Sequence, residues 1–363
     1  MPRSSQNSPG ILLLAEGSLA QYRVLRCAAA LGGKVQVAGG VHARMLALSR
    51  YCSGFHDFDL AARPKDAAAR IDAIAQANGL ALVLGADVPA TRLLICARPH
   101  LRTAAYPLPA LEAFDALATK DAFMALCRKL NVAHPEGAMF AGKSALLDAL
   151  ESGALRLPAM LKPVDTAGGI GVRRIDTGNA RGAIENLGYA PVLVQDFVEG
   201  EDWSITVFCR EGQVLRRVVY AHPDAVFAFA RKPALEDAVA DIVRRMNVNG
   251  IFNFDARIGP DGKVWMIECN PRFFFNMDVT MVAGLNFAGQ GNATAQAPEI
   301  LGEGTVRLPQ ALIRQLLKGR APSALDWKML AHWLRDPVIF ALVMSGYRRV
   351  WRSDWLGKIA ANW

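Results

Sequence analysis

The sequence lacks several features that define other classes of protein. It has no CxxC pair, no zinc-finger spacing and no dense run of Lys and Arg with interleaved aromatics, so binding of nucleic acid is disfavoured. The apolar stretch 11–15 is too short for a signal-peptide core. The late apolar run Pro337–Met344 is far shorter than the ~20 residues of a membrane span. These absences favour a cytoplasmic protein.

The composition is that of a folded globular protein. Hydrophobic residues make up 52% and charged residues 20% of the 363 residues, a length that suggests two or three domains. The formal charge of +8 suits an anionic ligand such as a nucleotide phosphate, but also nucleic acid or an acidic membrane face. The scattered cysteines are interpreted as small buried apolar residues in a reducing compartment.

Strand and helix patterns alternate at the start of the chain. We predict strands over 11–15, 34–38 and 80–84, and helices over 19–31 and 66–78. This alternation is typical of a parallel sheet, so residues 1–106 are predicted to form a doubly wound α/β domain. The segment has no GxGxxG motif, which disfavours a dinucleotide site.

The middle of the chain has a different pattern. Two helices, over 121–130 and 144–150, are followed by short strands over 159–163 and 192–198, and by two hairpins, 203–208 with 214–220 and 250–257 with 264–269. Antiparallel pairs of this kind predict an α+β region. Helices are predicted again over 308–317 and 327–334.

The second hairpin carries oxygen-bearing side chains. Asp255 lies on one strand, and Glu268 and Asn270 share a face of the other because strand side chains alternate. Such donors suit Mg²⁺ that also binds substrate phosphates, and Arg272 is placed to meet the same anion. The alternative is a solvated hairpin, but the strands are strongly apolar and unpaired carboxylates are costly there.

A glycine segment precedes this hairpin. Residues 168, 169 and 171 are glycines and Lys162 lies just before them, a combination that lets backbone N–H groups and a point charge meet phosphates. The segment is not a Walker A loop, and by itself it is equally typical of a hairpin turn. Lys120, taken alone, is typical of a solvated lysine.

The order of these motifs resembles the ATP-grasp superfamily, nearest the branch of carbamoyl-phosphate synthase and biotin carboxylase. The resemblance covers residues 10–305 and implies an ATP-grasp module over 107–305, with a lid over 118–198 and a metal-binding core over 199–305. The helical and basic pattern of the remaining residues predicts a C-terminal extension over 306–363. The motifs run in this order: Thr119-Lys120-Asp121, Leu161-Lys162-Pro163, the glycine loop, Gln195-Asp196-Phe197-Val198-Glu199-Gly200-Glu201-Asp202, Asp255, and Glu268-Cys269-Asn270-Pro271-Arg272.

The resemblance implies a role for each matching position. Lys120 and Lys162 would contact the ATP phosphates, under a lid that contains Gly168, Gly169 and Gly171. Gln195 would face the adenine, and the backbone at Asp196 and Val198 would bind its edge. Either Glu201 or Asp202 would hold the ribose. Asp255, Glu268 and Asn270 would bind Mg²⁺, or Mn²⁺ in its place, while Arg272 and Lys162 would act on the transferred phosphoryl group.

The activity implied by the resemblance is that of an ATP-dependent carboxylate–amine ligase, which converts an acid into an acyl-phosphate and lets an amine attack it. A small-molecule kinase and an ATP-binding, membrane-associated scaffold remain as alternatives. The scaffold would use the basic, tryptophan-bearing tail over 348–363, which is equally explained as helices packed on the core. Arg257 is a candidate for a substrate carboxylate. The acid, the amine and any homo-oligomer are not specified by the sequence.

Overall fold

The computed structural model describes residues 9–164, 169–292, 299–300 and 303–344. They divide into two compact units that are each discontinuous in sequence. The first unit takes its described residues from 1–114, 204–253 and 270–351, and the second from 115–203 and 254–269. Gly168 and the tail over 348–363 lie outside the described residues.

The described strands, in chain order, are β1 Gly10–Ala15, β2 Val35–Gly39, β3 Phe55–Asp57, β4 Leu80–Gly85, β5 Ala104–Ala105, β6 Gly137–Phe140, β7 Ala159–Pro163, β8 Arg173–Ile175, β9 Val192–Asp196, β10 Glu201–Arg210, β11 Gln213–Ala221, β12 Val226–Phe229, β13 Gly250–Ile258, β14 Val264–Asn270, β15 Glu299–Ile300 and β16 Gly304–Arg307. The described α-helices are α1 Leu19–Ala29, α2 Pro64–Asn78, α3 Val88–Ala97, α4 Leu111–Ala118, α5 Lys120–Lys129, α6 Lys143–Glu151, α7 Ala180–Glu185, α8 Pro233–Met246, α9 Met277–Val282, α10 Pro309–Leu317, α11 Ala324–Leu334 and α12 Pro337–Met344.

A parallel sheet opens the first unit. Its strand order is β3-β2-β1-β4-β5, and the chain therefore winds outward in both directions from β1. Every residue of β1 is buried, as expected for a central parallel strand covered on both faces. The predicted doubly wound α/β arrangement is confirmed. The helix α2 ends at Gly79, which adopts the left-handed backbone conformation (φ 65°) that favours glycine.

A larger sheet follows, with strand order β14-β13-β10-β11-β12-β16 and β15 paired with β11. β10 and β11 form the antiparallel hairpin that the sequence predicted, with Ile205 opposite Val219. The antiparallel, α+β character of the middle region is therefore confirmed. The sequence did not predict helices α3, α4, α7, α8, α9 and α12, and the strand predicted over 192–198 ends at Asp196.

The second unit has a four-stranded antiparallel sheet with order β6-β9-β7-β8. Its core is formed by apolar side chains from β7 and β9 and from helices α6 and α7, including Leu146, Leu161, Ile184 and Val192. The sheet fixes the register of two residues that the sequence analysis singled out, because Lys162 lies opposite Leu193 and Gln195 lies opposite Met160.

A buried charge cluster lies in the first unit, where α1, α9 and α11 meet. Asp278 on α9 is fully buried and accepts a hydrogen bond from Arg23 at 2.6 Å, while Arg26 lies 3.4 Å away. Burial alone would raise the pKa of this carboxyl, but the two guanidinium groups outweigh burial and hold it below its usual value. His332 on α11 lies 3.9 Å from Asp278, and burial, reinforced by Arg26, lowers the pKa of its imidazole to about 3.

The C-terminal described segment consists of α10, α11 and α12. A capping box begins α11, since the Ser323 hydroxyl accepts from the Asp326 N–H and the Asp326 carboxylate accepts from the Ser323 N–H. The predicted helices over 308–317 and 327–334 are thus present. Within the described ranges, no helix is both long and apolar enough to cross a membrane.

Candidate functional site

Lys162 is a buried lysine on β7 of the second unit. Its ammonium group donates to the Gln195 side-chain oxygen at 2.7 Å, and 6% of the residue is exposed. Burial lowers the pKa of Lys162 to about 8; Glu268 opposes this shift, while Lys120 and Arg257 add to it. A lysine whose charge is disfavoured by its surroundings is a favourable place for an anionic ligand.

Lys120 is the second buried lysine of this unit. It is the first residue of α5 and its ammonium nitrogen lies 3.4 Å from a Glu268 carboxylate oxygen. A cation at a helix N-terminus opposes the helix dipole, which favours anions at that end. Helix propensity therefore does not explain a buried lysine here, whereas the ion pair with Glu268 gives its charge a partner.

Gln195 connects β9 to Lys162 on the neighbouring strand β7. Its side-chain oxygen accepts from Lys162 and its amide nitrogen donates to the Pro135 carbonyl at 3.2 Å, and 2% of the residue is exposed. The side chain is thus held within the protein, whereas the resemblance implied that it faces a ligand. In this position Gln195 orients Lys162.

Most polar groups at the end of β9 have partners within the protein. The Asp196 N–H donates to the Glu136 carbonyl at 2.8 Å and the Phe197 N–H to the Pro158 carbonyl at 3.1 Å. The Asp196 carboxylate pairs with Arg156 at 2.9 Å. Within the described residues the Val198 N–H makes no hydrogen bond, so it is a free donor at the position that the resemblance assigns to the adenine edge.

Arg257 has partners within the second unit. Its guanidinium donates to both carboxylate oxygens of Asp202, at 2.8 and 2.9 Å, and to the Val198 carbonyl at 2.9 Å. This bidentate pair engages Asp202, while the Glu201 carboxylate accepts a hydrogen bond from the Trp203 indole at 3.1 Å. The pair with Asp202 also makes Arg257 a support for the loop after β9.

Aromatic stacking and a close backbone approach fix the same loop. The guanidinium groups of Arg174 and Arg257 lie 4.2 and 5.4 Å from the centre of the Phe197 ring. Gly200 has a φ of 144°, and a side chain there would place its first carbon 2.2 Å from the Ile258 carbonyl oxygen. Only glycine therefore allows the start of β10 to approach β13 so closely.

The glycine segment connects the antiparallel strands β7 and β8. Gly169 and Gly171 have φ angles of 71° and 76°, and the Val172 N–H donates to the Gly169 carbonyl in a turn. Tyr189 donates its hydroxyl hydrogen to the Gly171 carbonyl at 2.8 Å. The described glycines thus lie in a turn that leads into β8.

The strands β13 and β14 carry the predicted metal ligands. They are neighbours in the larger sheet, and the Gly259 N–H donates to the Lys263 carbonyl across their turn. Met266 and Cys269 are both buried although they lie three positions apart, so side chains on β14 do not alternate strictly between its two faces. Asp255 and Glu268, in the second unit, are both half-buried.

Asn270 and Arg272 belong to the first unit. The Asn270 side-chain oxygen accepts from the Arg272 guanidinium at 3.0 Å, and the same guanidinium donates to the Phe273 carbonyl at 2.9 Å. Phe273 and Phe274 are buried in the core of that unit. His222 packs against the rings of Tyr220 and Phe227.

The donor set suits Mg²⁺ better than zinc. Asp255, Glu268 and Asn270 offer two carboxylates and one amide oxygen, whereas a structural zinc site needs sulfur or imidazole ligands. In the part of the chain that the structure describes, no three His, Cys, Asp or Glu side chains gather at metal-binding distance.

The second unit therefore brings together Lys120, Lys162, Gln195 and Glu268, and separately ties Asp202 to Arg257. Sequence reasoning missed Arg156 and Arg174, whose contacts with Asp196 and Phe197 depend on chain segments that are distant in sequence. No motif marks either residue.

Part of the chain matches a known family model. Residues 189–305 match the family model described as ATP-grasp in the biosynthetic pathway with Ter operon. The matched stretch contains Gln195, Asp255, Glu268 and Asn270, but neither Lys120 nor Lys162.

Solved structures are similar over most of the chain. An ADP complex of purK, N5-carboxyaminoimidazole ribonucleotide synthetase, has a TM-score of 0.63 at 15% identity and covers 88% of this chain and 87% of its own. The 2-oxoglutarate carboxylase biotin carboxylase domain of Hydrogenobacter thermophilus, solved with MgADP and bicarbonate, has a TM-score of 0.59 at 16% identity, with 83% and 74% covered. The L-amino acid ligase of Bacillus licheniformis has a TM-score of 0.56 at 15% identity, with 78% and 73% covered. The chain therefore has the ATP-grasp fold, as its motifs predicted.

Proposed function

We propose that this chain is an ATP- and Mg²⁺-dependent ligase that activates a carboxylate as an acyl-phosphate, which an amine then attacks to form a carbon–nitrogen bond. The observation that carries the proposal is the pair of buried lysines, Lys120 and Lys162, beside the Glu268 carboxylate. The similar proteins named above include an amino acid ligase and enzymes solved with ADP, which supports the same class of reaction.

The two lysines are proposed to bind the ATP phosphates. Lys162 is held by Gln195, and burial makes its charge costly without an anion. A triphosphate would offset that cost by supplying negative charge within reach, and Lys162 would then stabilise the negative charge on the phosphoryl oxygens during transfer. The turn with Gly169 and Gly171 is proposed to cover the phosphates.

Asp255, Glu268 and Asn270 are the proposed ligands of Mg²⁺. When bound, Mg²⁺ neutralises phosphate charge and makes the terminal phosphorus more electrophilic. Glu268 would then exchange its contact with Lys120 for the metal, which would release the Lys120 ammonium group for phosphate. Arg272 would steady the phosphoryl group, with its guanidinium oriented by the Asn270 side chain.

The adenosine part is proposed to lie along the end of β9 and the start of β10. The Val198 N–H would donate to the adenine edge, Phe197 and its stacked arginines would fix that loop, and Glu201 would accept from the ribose hydroxyls. The protein's contribution to the chemistry is mainly positioning and exclusion of water, because an acyl-phosphate is readily hydrolysed.

The test is a screen of amino acids and other small acids, each with and without amines, that measures ADP and product mass. A ligase forms ADP, inorganic phosphate and a condensed product only when both substrates are present. A stable phosphorylated product would instead identify a kinase, and ATP binding without ADP formation from any acid would support a scaffold.

The site assignment is tested separately with Glu268→Gln. We expect turnover to fall by about 100-fold or more, since a charged metal ligand becomes a neutral amide. Glu185→Gln is the matched control, because Glu185 is an exposed carboxylate on α7 of the same unit. Unchanged turnover in Glu268→Gln would refute the metal assignment, whichever substrates the screen identifies.

A further inference from the structure

The exposed charge of the C-terminal helices is of one sign. Between residues 309 and 344 the only acidic side chains are Asp326 and Asp336, and they are 0% and 1% exposed. Asp326 pairs with Arg307, and Asp336 accepts hydrogen bonds from Tyr22 and Ser49. The basic residues of the segment are all exposed: Arg314, Lys318, Arg320, Lys328 and Arg335.

Large apolar side chains are exposed on the same helices. On α10 they are Ile313, Leu316 and Leu317, which share one helix face, and Leu317 is 83% exposed. On α11 they are Trp327 and Leu334, two turns apart, each 51% exposed. Val338 at the start of α12 is also 51% exposed.

These exposed stripes are distinct from the faces that pack inward. The buried side of α10 carries Ala311 and Leu312, and that of α11 carries Met329 and Trp333. Each helix thus has an apolar face for the core and a second one for solvent. Of the eleven large apolar residues exposed in the described chain, six lie between 313 and 338. The five basic and six apolar residues together are called the C-terminal surface.

We propose that the C-terminal surface docks on an anionic lipid membrane. Helices that present Trp and Leu together with Lys and Arg are suited to the boundary between acyl chains and acidic headgroups. A second copy of the chain is a poorer occupant, since two surfaces without exposed acid would repel each other. Nucleic acid is also poorer, because aliphatic side chains such as Leu317 offer no ring for a base to stack on.

The sequence beyond the described residues has the same character. Between 345 and 363 it contains Arg348, Arg349, Arg352 and Lys358 against a single acid, Asp354, and the tryptophans Trp351, Trp355 and Trp363. Basic and aromatic composition of this kind favours the lipid interface. The proposal is independent of the ligase activity, because none of these residues belongs to the candidate nucleotide site.

The test is co-sedimentation of the full chain with vesicles of phosphatidylcholine alone or mixed with phosphatidylglycerol, at low and high salt. We expect binding to the anionic vesicles that weakens with salt. Two double variants should each bind the anionic vesicles about tenfold more weakly, or weaker still: Leu317→Gln with Trp327→Gln, and Lys318→Glu with Lys328→Glu. The matched controls, Val41→Gln with Met139→Gln and Lys65→Glu with Lys129→Glu, change exposed residues elsewhere and should leave binding unchanged.

Thermal unfolding of each variant checks that the fold is intact. Equal sedimentation with neutral and anionic vesicles, or none with either, would overturn the proposal. So would binding that is unaffected by both pairs of substitutions, since the contact would then lie elsewhere. Light scattering tests whether the chain is a dimer. If it is, and if Leu317→Gln with Trp327→Gln makes it a monomer, a second copy of the chain occupies the C-terminal surface instead.

Discussion

Replacing Lys162 by methionine should increase the stability of the free protein while removing its affinity for ATP. Lys162 is buried, donates to Gln195 and has a pKa of about 8, below the value of 10.5 for a free lysine side chain. Between these two values the unfolded chain binds the proton and the folded chain does not. Stability must therefore rise with pH across this window, and the cost of the charged lysine is fully present below pH 8.

The size of the effect follows from the shift. A displacement of about 2.5 pH units corresponds to about 3 kcal/mol of unfolding free energy at pH 7. Lys162→Met removes this cost but leaves the Gln195 oxygen without its donor, a loss of about 1–2 kcal/mol. The net expectation at pH 7 is a gain of about 1–2 kcal/mol. Between pH 7 and about 9.5 the free energy of unfolding of the wild type should rise by about 2 kcal/mol relative to that of the variant.

Urea unfolding at several pH values, in EDTA and without nucleotide, measures these differences directly. Lys129→Met is the control, because Lys129 is an exposed lysine at the end of α5 in the same unit. The contributions of other titrating groups to the pH dependence are shared by the wild type and each variant, so they cancel in the difference. A stability difference between wild type and Lys162→Met that stays constant from pH 7 to about 9.5 would refute the reasoning.

Three further predictions follow from buried polar groups. Gln195→Glu should raise the pKa of Lys162 by supplying a charged partner, and should thereby flatten the rise of stability between pH 7 and about 9.5; a retained slope in urea unfolding would contradict this. Asp278→Asn should lower the free energy of unfolding by about 3–5 kcal/mol, because two buried arginines lose their counterion. A clearly smaller loss in chemical denaturation would contradict this expectation. His332 stays neutral in the folded protein but gains a proton in the unfolded chain below pH 6.5, so acidification from pH 7 to 5 should remove about 2 kcal/mol of stability. His332→Met should lose that acid sensitivity in thermal melts, and an unchanged pH profile would show that His332 is not its source.

The elements that sequence reasoning found are those set by local patterns. Apolar runs predicted β1 and β4, and Gly79 predicted the end of α2, because a left-handed helix stop is a property of a few neighbouring residues. The ATP-grasp fold was recognisable because its motifs are short and keep their order along the chain. Helix α8 was not predicted, because no motif or terminal glycine marks it in the sequence. Its buried Glu236 forms ion pairs with Arg217 and Arg231, which only the structure reveals.

The sequence by itself determined the fold class and the order of the candidate site residues, from Lys120 to Arg272. Tertiary structure alone decided that Gln195 holds Lys162, and that Arg257 engages Asp202 across 55 positions of the chain. It also decided that the two acids of the C-terminal helices are buried, which leaves their exposed charge entirely basic. The physical reason is that hydrogen bonds, ion pairs and desolvation depend on distances between segments, which local sequence patterns do not encode.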